Sequence, residues 1–173
     1  LSTVSAGSDQ TVCAHSPTVM LTGNVTGPSG TGIWTASGTG IFAPNDTSLS
    51  ASHVPSAADI SAGNVSLYLS TTFACLRSDT IEITIDSATI VNAGSDQVVC
   101  VNQDSILLAG SVSGTISTGR WTSTGTGVFV PNDSAIAPTY IRSAADSAAA
   151  FVQLILTSTN NGPCVASADT FTL

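Results

Sequence analysis

Four cysteines, two histidines and eleven acidic residues are the side chains through which this sequence could carry out chemistry. The cysteines could bind zinc, act as nucleophiles or form disulfides, and they are Cys13, Cys75, Cys100 and Cys164. A zinc site is disfavoured because no CxxC spacing occurs. Nucleophilic catalysis would need a base beside a serine or cysteine, and histidine is the usual one. The arrangement of these residues along the chain therefore decides which chemistry is open to it.

An internal repeat supplies that arrangement. The string AGSDQTVC (Ala6–Cys13) returns as AGSDQVVC (Ala93–Cys100), and GTGIFAPND (Gly38–Asp46) returns as GTGVFVPND. Self-similarity at a fixed period indicates repeated structural units. We predict two tandem domains, residues 1–87 and 88–173. The second copy ends at the counterpart of Ile83, so its last strand is predicted to be truncated, as in a piece of a longer array.

The repeat argues against an enzyme. His15 aligns with Asn102 and His53 aligns with Tyr140, so neither histidine recurs in the second copy. The chain contains no GxSxG, HExxH or P-loop motif. The two GTG strings lack the strand–helix context of a phosphate loop and indicate turns. No catalytic residue and no cofactor-binding residue is predicted.

The cysteines do recur, two in each copy. The pairing that follows is Cys13 with Cys75 and Cys100 with Cys164, with free buried thiols as the alternative. A disulfide closing a loop of roughly 60 residues would contribute on the order of 4 kcal/mol to a small domain. Disulfides form in oxidising compartments, which predicts an extracellular setting.

Most of the acids recur as well, at Asp9/Asp96, Asp46/Asp133, Asp59/Asp146 and Asp79/Asp169. Calcium is bound by several oxygen ligands, often loop carboxylates, so a calcium ion is one hypothesis. The simpler interpretation is that aspartate caps turns, because PND before a strand is ordinary turn chemistry. The clustered DxDxDG pattern is absent, so no metal ligand is assigned.

The small number of charged residues and the negative net charge limit the partners that the chain could bind. Only 8% of the residues are charged, and the net charge is −8. Three scattered arginines cannot neutralise a phosphate backbone or bind an anionic membrane surface, so nucleic acid and membranes are not predicted partners. The longest apolar stretch, residues 148–156, is too short to span a bilayer. No signal peptide is recognisable, and the chain starts at Leu1, which favours a mature or excised segment.

The elements that position these residues are predicted to be β-strands. Good helix formers are scarce, whereas threonine, valine and isoleucine are common. Val65, Leu67 and Leu69 alternate with polar residues, as do Ile81, Ile83 and Ile85. Turn residues separate six or seven such strands in each copy, which predicts two tandem Greek-key β-sandwiches. Ser56 and Ser143 each precede Ala-Ala-Asp, and each could cap a single helical turn.

Each copy has one tryptophan, Trp34 or Trp121, at the third strand. A buried tryptophan there is typical of an immunoglobulin-like core. The alternative is an exposed aromatic platform for sugar binding. The core interpretation is favoured because no second aromatic residue lies nearby to build a platform.

Together these motifs resemble those of known extracellular repeats. AGSDQTVC followed by Val19–Gly23 looks like the opening of PKD-type and immunoglobulin-like repeats. The continuation, with W…GTGxFxPND, SAAD and a cysteine before SDTIEI, resembles tandem repeats of large surface adhesins of Bacteroidota. That family includes gliding-motility adhesins and other cargo of the type IX secretion system. The resemblance covers essentially the whole chain and implies an extracellular, cell-surface location.

The expected function is that of a non-enzymatic structural repeat in a secreted adhesin or surface filament. The repeats would act as a stalk or an assembly unit in cell-surface or cell–cell attachment. The expected partners are neighbouring repeats of the same protein, with self-association into an oligomer or filament as a further hypothesis. The alternative function is a carbohydrate-binding module of a secreted protein.

Overall fold

The structure is a computed structural model that describes residues 2–27, 30–72 and 76–173. The chain divides into two compact units, Leu1–Ser87 and Ala88–Leu173, named repeat 1 and repeat 2 below. Each unit has its own cluster of buried apolar side chains. A separate core is what makes each repeat a domain.

The described residues of repeat 1 form nine strands and one short helix. The strands are β1 (Thr3–Ser5), β2 (Gln10–Cys13), β3 (Val19–Met20), β4 (Asn24–Thr26), β5 (Gly32–Ala36), β6 (Ile41–Ala43), β7 (Ser52–Val54), β8 (Asn64–Thr71) and β9 (Ser78–Asp86). Helix α1 (Ala57–Ala62) lies between β7 and β8.

Two sheets pack face to face in repeat 1. One has the strand order β2-β9-β8-β5 and the other β3-β7-β6, while β1 and β4 form a separate pair. Only β2 and β9 pair in parallel within the described part of this repeat, with Val12 opposite Ile85. This arrangement of short strands is the predicted sandwich, since its two inner faces form one core.

The period-two pattern of the sequence corresponds to burial. Val65, Leu67 and Leu69 on β8 are all 2% exposed or less, whereas Tyr68 points outwards and is 37% exposed. Ile81 and Ile83 on the adjacent β9 are fully buried. Successive side chains of a strand face opposite sides of the sheet, so one face enters the core.

Repeat 2 has eight strands and one short helix. The strands are β10 (Ile90–Asn92), β11 (Ser105–Leu107), β12 (Ser111–Ser113), β13 (Gly119–Ser123), β14 (Val128–Val130), β15 (Thr139–Ile141), β16 (Gln153–Ser158) and β17 (Ala168–Thr172). Its sheets are β13-β16-β17, β11-β15-β14 and the pair β10-β12, and helix α2 (Ala144–Ala148) precedes β16.

The repeats differ at one sheet edge. Gln97–Cys100 is the counterpart of β2, but it is not a strand. In repeat 1, β2 pairs in parallel with the last residues of β9, from Gln10 opposite Ile83 to Cys13 opposite Asp86.

Both predicted helical turns are present and are capped as the sequence indicates. The hydroxyl of Ser56 accepts the N–H of Asp59, and the Asp59 carboxylate accepts the N–H of Ser56. Ser143 and Asp146 repeat this capping box at α2. Reciprocal bonds of this kind satisfy backbone donors that a helix leaves unpaired at its start. No helix among the described residues is long and apolar enough to cross a membrane.

Both tryptophans lie in the cores, as predicted. Trp34 on β5 and Trp121 on β13 are each 1% exposed. The indole N–H of Trp121 donates to the carbonyl of Ile136 at 3.2 Å. The Trp34 N–H has no partner among the described residues. Neither tryptophan can therefore act as a platform for sugar binding, because stacking on a sugar needs an exposed ring face.

Candidate functional site

The most organised polar cluster of each repeat surrounds the aspartate of the capping box. We call it the aspartate cradle. In repeat 2 it comprises Gly125–Gly127, Tyr140, Ser143 and Asp146, and in repeat 1 it comprises Gly38–Gly40, Ser56 and Asp59. The aspartate follows the cap serine by three residues, and the glycine loop comes from the hairpin between the tryptophan strand and the next strand. Sequence reasoning identified both motifs as turns but did not bring them together.

In repeat 2 the cradle surrounds one carboxylate with hydrogen-bond donors. Oδ1 of Asp146 accepts the N–H of Thr126 at 2.8 Å. Oδ2 accepts the N–H groups of Gly127 at 2.9 Å and Ser143 at 3.1 Å and the hydroxyl of Tyr140 at 2.8 Å. Asp146 therefore joins the glycine loop, the helix start and the tyrosine strand.

The glycines are required for this approach. A Cβ at Gly125 would lie 2.9 Å from Cγ of Asp146 and 3.0 Å from the hydroxyl of Tyr140. Both atoms belong to buried, hydrogen-bonded side chains that cannot move aside without breaking the cluster. The GTG string thus encodes close backbone approach to a carboxylate.

The electrostatics of the cradle follow from these bonds. Burial favours the neutral acid, but the N–H groups of Thr126 and Ser143 and the Tyr140 hydroxyl outweigh it and hold the pKa of Asp146 at about 2. The pKa of Asp59 is also lowered, because bonds from Ser56, Thr39 and Gly40 outweigh its burial. Burial raises the pKa of Tyr140, so its hydroxyl stays a donor at neutral pH. Hydrogen bonds to a charged form favour that form.

Repeat 1 has a different residue where repeat 2 has Tyr140. His53 occupies this position, is fully buried and lies 4.7 Å from the Phe42 ring between centroids. Neither ring nitrogen has a hydrogen-bond partner among the described residues. Burial lowers the pKa of His53, and the charge of Asp59 only partly opposes this effect. Ser123, which bonds the Tyr140 hydroxyl at 2.9 Å, is replaced by Ala36 in repeat 1.

Replacing His53 with tyrosine should make repeat 1 more stable in acid. The unfolded chain takes up a proton at His53 below about pH 6.5, whereas the folded repeat, with its lowered pKa, resists protonation. Stability is therefore lost as pH falls below about 6.5, with a slope approaching about 1.4 kcal/mol per pH unit. His53→Tyr combined with Ala36→Ser should remove that slope and add a bond to Asp59.

The measurement is denaturant unfolding of repeat 1 between pH 7 and pH 5. His53→Phe is the matched control, because it removes the titrating group without adding a hydroxyl. An unchanged slope in both variants would mean that His53 does not resist protonation in the folded state.

Two other repeated aspartate pairs, Asp9/Asp96 and Asp79/Asp169, also bind backbone. Asp79 accepts the N–H of Ala6, and its counterpart Asp169 accepts the N–H of Ala93, each at 2.8 Å. Asp96 accepts the N–H of Thr172 at 2.7 Å. Asp133 pairs with Arg120 at 2.8 Å on the surface, and this hydrogen bond lowers the Asp133 pKa.

These aspartates are distributed over each repeat rather than gathered at one point. Across residues 2–27, 30–72 and 76–173, no three His, Cys, Asp or Glu side chains form a group that could hold a metal ion. The calcium hypothesis thus gains no ligand set from the described residues. Turn capping applies to Asp59 and Asp146. Asp9/Asp96 and Asp79/Asp169 instead accept N–H groups of residues 73 or 76 positions away.

The cysteines require a correction. Cys13 and Cys164 are each disulfide-bonded, whereas Cys100 is free and exposed. The predicted Cys100–Cys164 bond is therefore not present in this structure. Three residues before Cys100, the N–H of Gln97 donates to the carbonyl of Thr172, the last residue of β17. Cys164 lies before Ala168, the first residue of the same strand. That five-residue strand alone spans about 16 Å, far more than the about 4.4–6.8 Å between Cα atoms that a disulfide allows.

The other predicted pair, Cys13 with Cys75, stays a prediction. Cys13 is disulfide-bonded, and Cys75 lies outside the described residues.

Alkylation before reduction should therefore label Cys100, while Cys13 and Cys164 should react only after reduction. Peptide mapping by mass spectrometry measures both states and identifies the peptide joined to each bonded cysteine. Protection of Cys100 from alkylation in the unreduced protein would contradict the structure, and a Cys100→Ser variant provides the unlabelled control.

Comparison with known proteins supports the fold. No model of a known protein family and no curated protein sequence matches the chain. Solved structures do match it, among them the IG1+IG2 pair of DIP-gamma at 11% identity and a TM-score of 0.52, covering 99% of this chain and 96% of that one. The titin I-band fragment I67–I69 matches at 11% identity and a TM-score of 0.59, covering 99% of this chain and 64% of that one.

Sidekick-1 immunoglobulin domains 1–5 match at 12% identity and a TM-score of 0.57, covering 98% of this chain and 38% of that one. The chain therefore spans well under half of that longer array. Identities this low establish the architecture alone: each repeat has an immunoglobulin-like β-sandwich fold.

Proposed function

We propose that this chain is a non-enzymatic structural segment of a large secreted bacterial adhesin or surface filament, in which tandem repeats act as a stalk or an assembly unit. One observation carries the proposal: three of the four repeated aspartate pairs bind backbone N–H groups of their own repeat. Asp59/Asp146 and Asp79/Asp169 all accept N–H groups of their own sandwich. Residues kept for catalysis or ligand binding would present unused donors or acceptors to solvent.

Three further observations support a structural role. Two copies of one sandwich follow each other, which is the organisation of stalk-forming proteins. The chain contains disulfide-bonded cysteines, which favour an oxidising, extracellular compartment. The matched structures are themselves immunoglobulin domains in tandem by their titles. The bacterial surface location rests on the sequence resemblance to adhesin repeats.

A stalk must resist force, and single-molecule pulling tests this directly. Stretching the oxidised 173-residue chain from its termini should give two separate all-or-none unfolding events, one for each sandwich, with recovery after relaxation. Trp121→Ala is the matched control, because it should weaken one event and leave the other unchanged. Extension without any discrete event would contradict a load-bearing role.

The non-binding part of the proposal has its own test. The chain should show no saturable binding to a panel of polysaccharides and no turnover of glycoside, ester or peptide substrates. Saturable binding to one polysaccharide, abolished by substitution of the exposed Tyr68, would contradict the proposal and favour a carbohydrate-binding module.

A further inference from the structure

The outer surface of one sheet is apolar in both repeats. In repeat 1 this sheet is β3-β7-β6, and in repeat 2 it is β11-β15-β14. The central strands bury His53 and Tyr140, so the residues on either side of these two point outwards. We call this outer surface the sheet face of each repeat. It consists of Met20, Ile41, Ala43, Ser52 and Val54 in repeat 1, and of Ser105, Leu107, Val128, Val130, Thr139 and Ile141 in repeat 2.

Large apolar side chains of both sheet faces lie in solvent. In repeat 1, Met20 is 63% exposed and Ile41 is 65% exposed. In repeat 2, Leu107 is 70% exposed, Val128 is 58% exposed and Val130 is 49% exposed. Apolar residues scattered singly over a surface are ordinary, whereas neighbouring ones on a single sheet indicate an interaction surface.

The apolar character of the face recurs although its residues change. Four positions differ between the repeats and stay apolar, and they are Met20/Leu107, Ile41/Val128, Ala43/Val130 and Val54/Ile141. By contrast, the exposed Ile90 and Phe151 match the polar residues Thr3 and Asn64 of repeat 1. The recurrence therefore belongs to the sheet face and not to exposed positions in general.

The sheet face is uncharged, although the chain has a net charge of −8. None of the face residues named above, all of which the structure describes, is acidic or basic. Two copies of so acidic a chain repel each other wherever their carboxylates meet, because juxtaposed like charges are costly. An uncharged apolar surface is where two copies can approach closely.

The side-chain sizes make the face complementary to itself. In repeat 2, Leu107, Thr139 and Val130 form one row across the strands, and Ser105, Ile141 and Val128 form the next row. Turning a second copy over about an axis along β15 places Leu107 against Val130 of that copy, and Val128 against its Ser105. The same operation in repeat 1 places Met20 against Ala43. Larger side chains thus meet smaller ones at the corners, as required for sheets whose faces interdigitate.

The size of the face sets the strength of the contact. Three strands about 4.8 Å apart, each with three residues of about 3.3 Å, cover roughly 150 Å² in projection. Stable specific interfaces bury about 800 Å² on each partner. One sheet face is therefore too small for a lasting dimer, and strong binding needs several faces at once.

We propose that the sheet face of each repeat binds the sheet face of a second copy of this chain, by face-to-face packing of the two sheets. Each repeat supplies one weak contact, and the strength of association grows with the number of repeats engaged. This inference rests on the assembly-unit part of the proposed function and names the surface that assembly would use.

Self-association of the 173-residue chain tests the proposal. A Cys100→Ser background prevents crosslinking through the exposed thiol. Between about 0.05 and 2 mM protein, a range suited to weak binding, sedimentation should show a rising mean mass and backbone NMR should show shifts at Met20, Ile41, Leu107 and Val128. Raising the salt concentration from about 0.02 to 0.5 M should strengthen association at least threefold, because salt screens the repulsion between acidic chains. Constant mass and constant shifts at the highest protein and salt concentrations would overturn the proposal.

A pair of charged variants locates the contact. Met20→Glu with Leu107→Glu places a negative charge on both sheet faces and should weaken association at least tenfold. Leu76→Glu with Val165→Glu is the matched control, because it adds the same charge at positions that are 78% and 87% exposed and lie outside the strands. The control should associate within about twofold of the unsubstituted faces at high salt, where charges away from the contact are screened. Equal weakening by both pairs, or none by the first, would overturn the assignment to the sheet face.

Vesicles of neutral phosphatidylcholine test a different occupant of the same surface. Shifts of the sheet-face amides on adding vesicles, in a chain that does not self-associate, would indicate a lipid surface and overturn the proposal. A failure of self-association would remove only the assembly-unit part of the proposed function. The unfolding events under force test the stalk role independently, because they need only one molecule.

Discussion

Replacing Trp121 with alanine should lower the free energy of unfolding of repeat 2 by about 3–5 kcal/mol, the cost of emptying a large aromatic site in a packed core. The ring is 1% exposed, and its Cζ2 lies so close to Gly110 that a Cβ there would be only 2.7 Å away. Such tight surroundings cannot collapse into the space left behind. Denaturant unfolding of repeat 2 measures the loss.

The two tryptophans also provide a matched comparison. Trp121 donates its indole N–H to Ile136, whereas the N–H of Trp34 has no partner among the described residues. Tryptophan→phenylalanine keeps most of the apolar contact and removes the N–H. Trp121→Phe should therefore cost about 1 kcal/mol more than Trp34→Phe. The reverse order would mean that the Trp121 hydrogen bond adds nothing to stability.

The second large effect is expected at the aspartate cradle. Asp146→Asn should destabilise repeat 2 by about 2–4 kcal/mol, because one acceptor oxygen of the carboxylate becomes an N–H₂ donor facing other donors. Thr126 bonds one oxygen, whereas Gly127, Ser143 and Tyr140 share the other, so an N–H₂ group in place of either oxygen faces at least one donor. Buried donors left without acceptors account for most of the loss.

The effect of Asp146→Asn should depend on pH in a defined direction. The pKa of Asp146 is about 2 in the folded repeat and about 3.8 as its ordinary value. A carboxylate with a lowered folded pKa contributes stability above its unfolded pKa and loses it as pH falls through the folded pKa. The difference between wild type and variant should be full above about pH 4 and shrink towards pH 2.

Unfolding curves at pH 7 and pH 3, read from the tryptophan of repeat 2 in a Trp34→Phe background, measure this change. Asp59→Asn in repeat 1, read from Trp34 in a Trp121→Phe background, is the internal control. It should cost less, because that cradle has no tyrosine hydroxyl and its Thr39 bond is long at 3.3 Å. A pH-independent loss would show that charge on Asp146 is not what the cradle stabilises.

The repeat, the strand faces and the helix caps can all be predicted from the order of the residues. Alternating Val65, Leu67 and Leu69 predict a half-buried strand because successive side chains point to opposite faces. Ser56 and Asp59 predict a capped turn because their spacing matches two backbone donors. The strand faces and the caps depend on residues within a few positions of one another, so the order of the residues is sufficient to predict them.

Which distant groups meet depends on how the chain folds in three dimensions. The glycine loop at 125–127 and Asp146 lie about twenty positions apart, and only the crossing of the sandwich brings them into hydrogen-bonding distance. Cys100 and Cys164 recur with the repeat, yet the length of β17 holds them apart. Contacts of this kind depend on where chain segments lie in space, which spacing along the sequence does not specify.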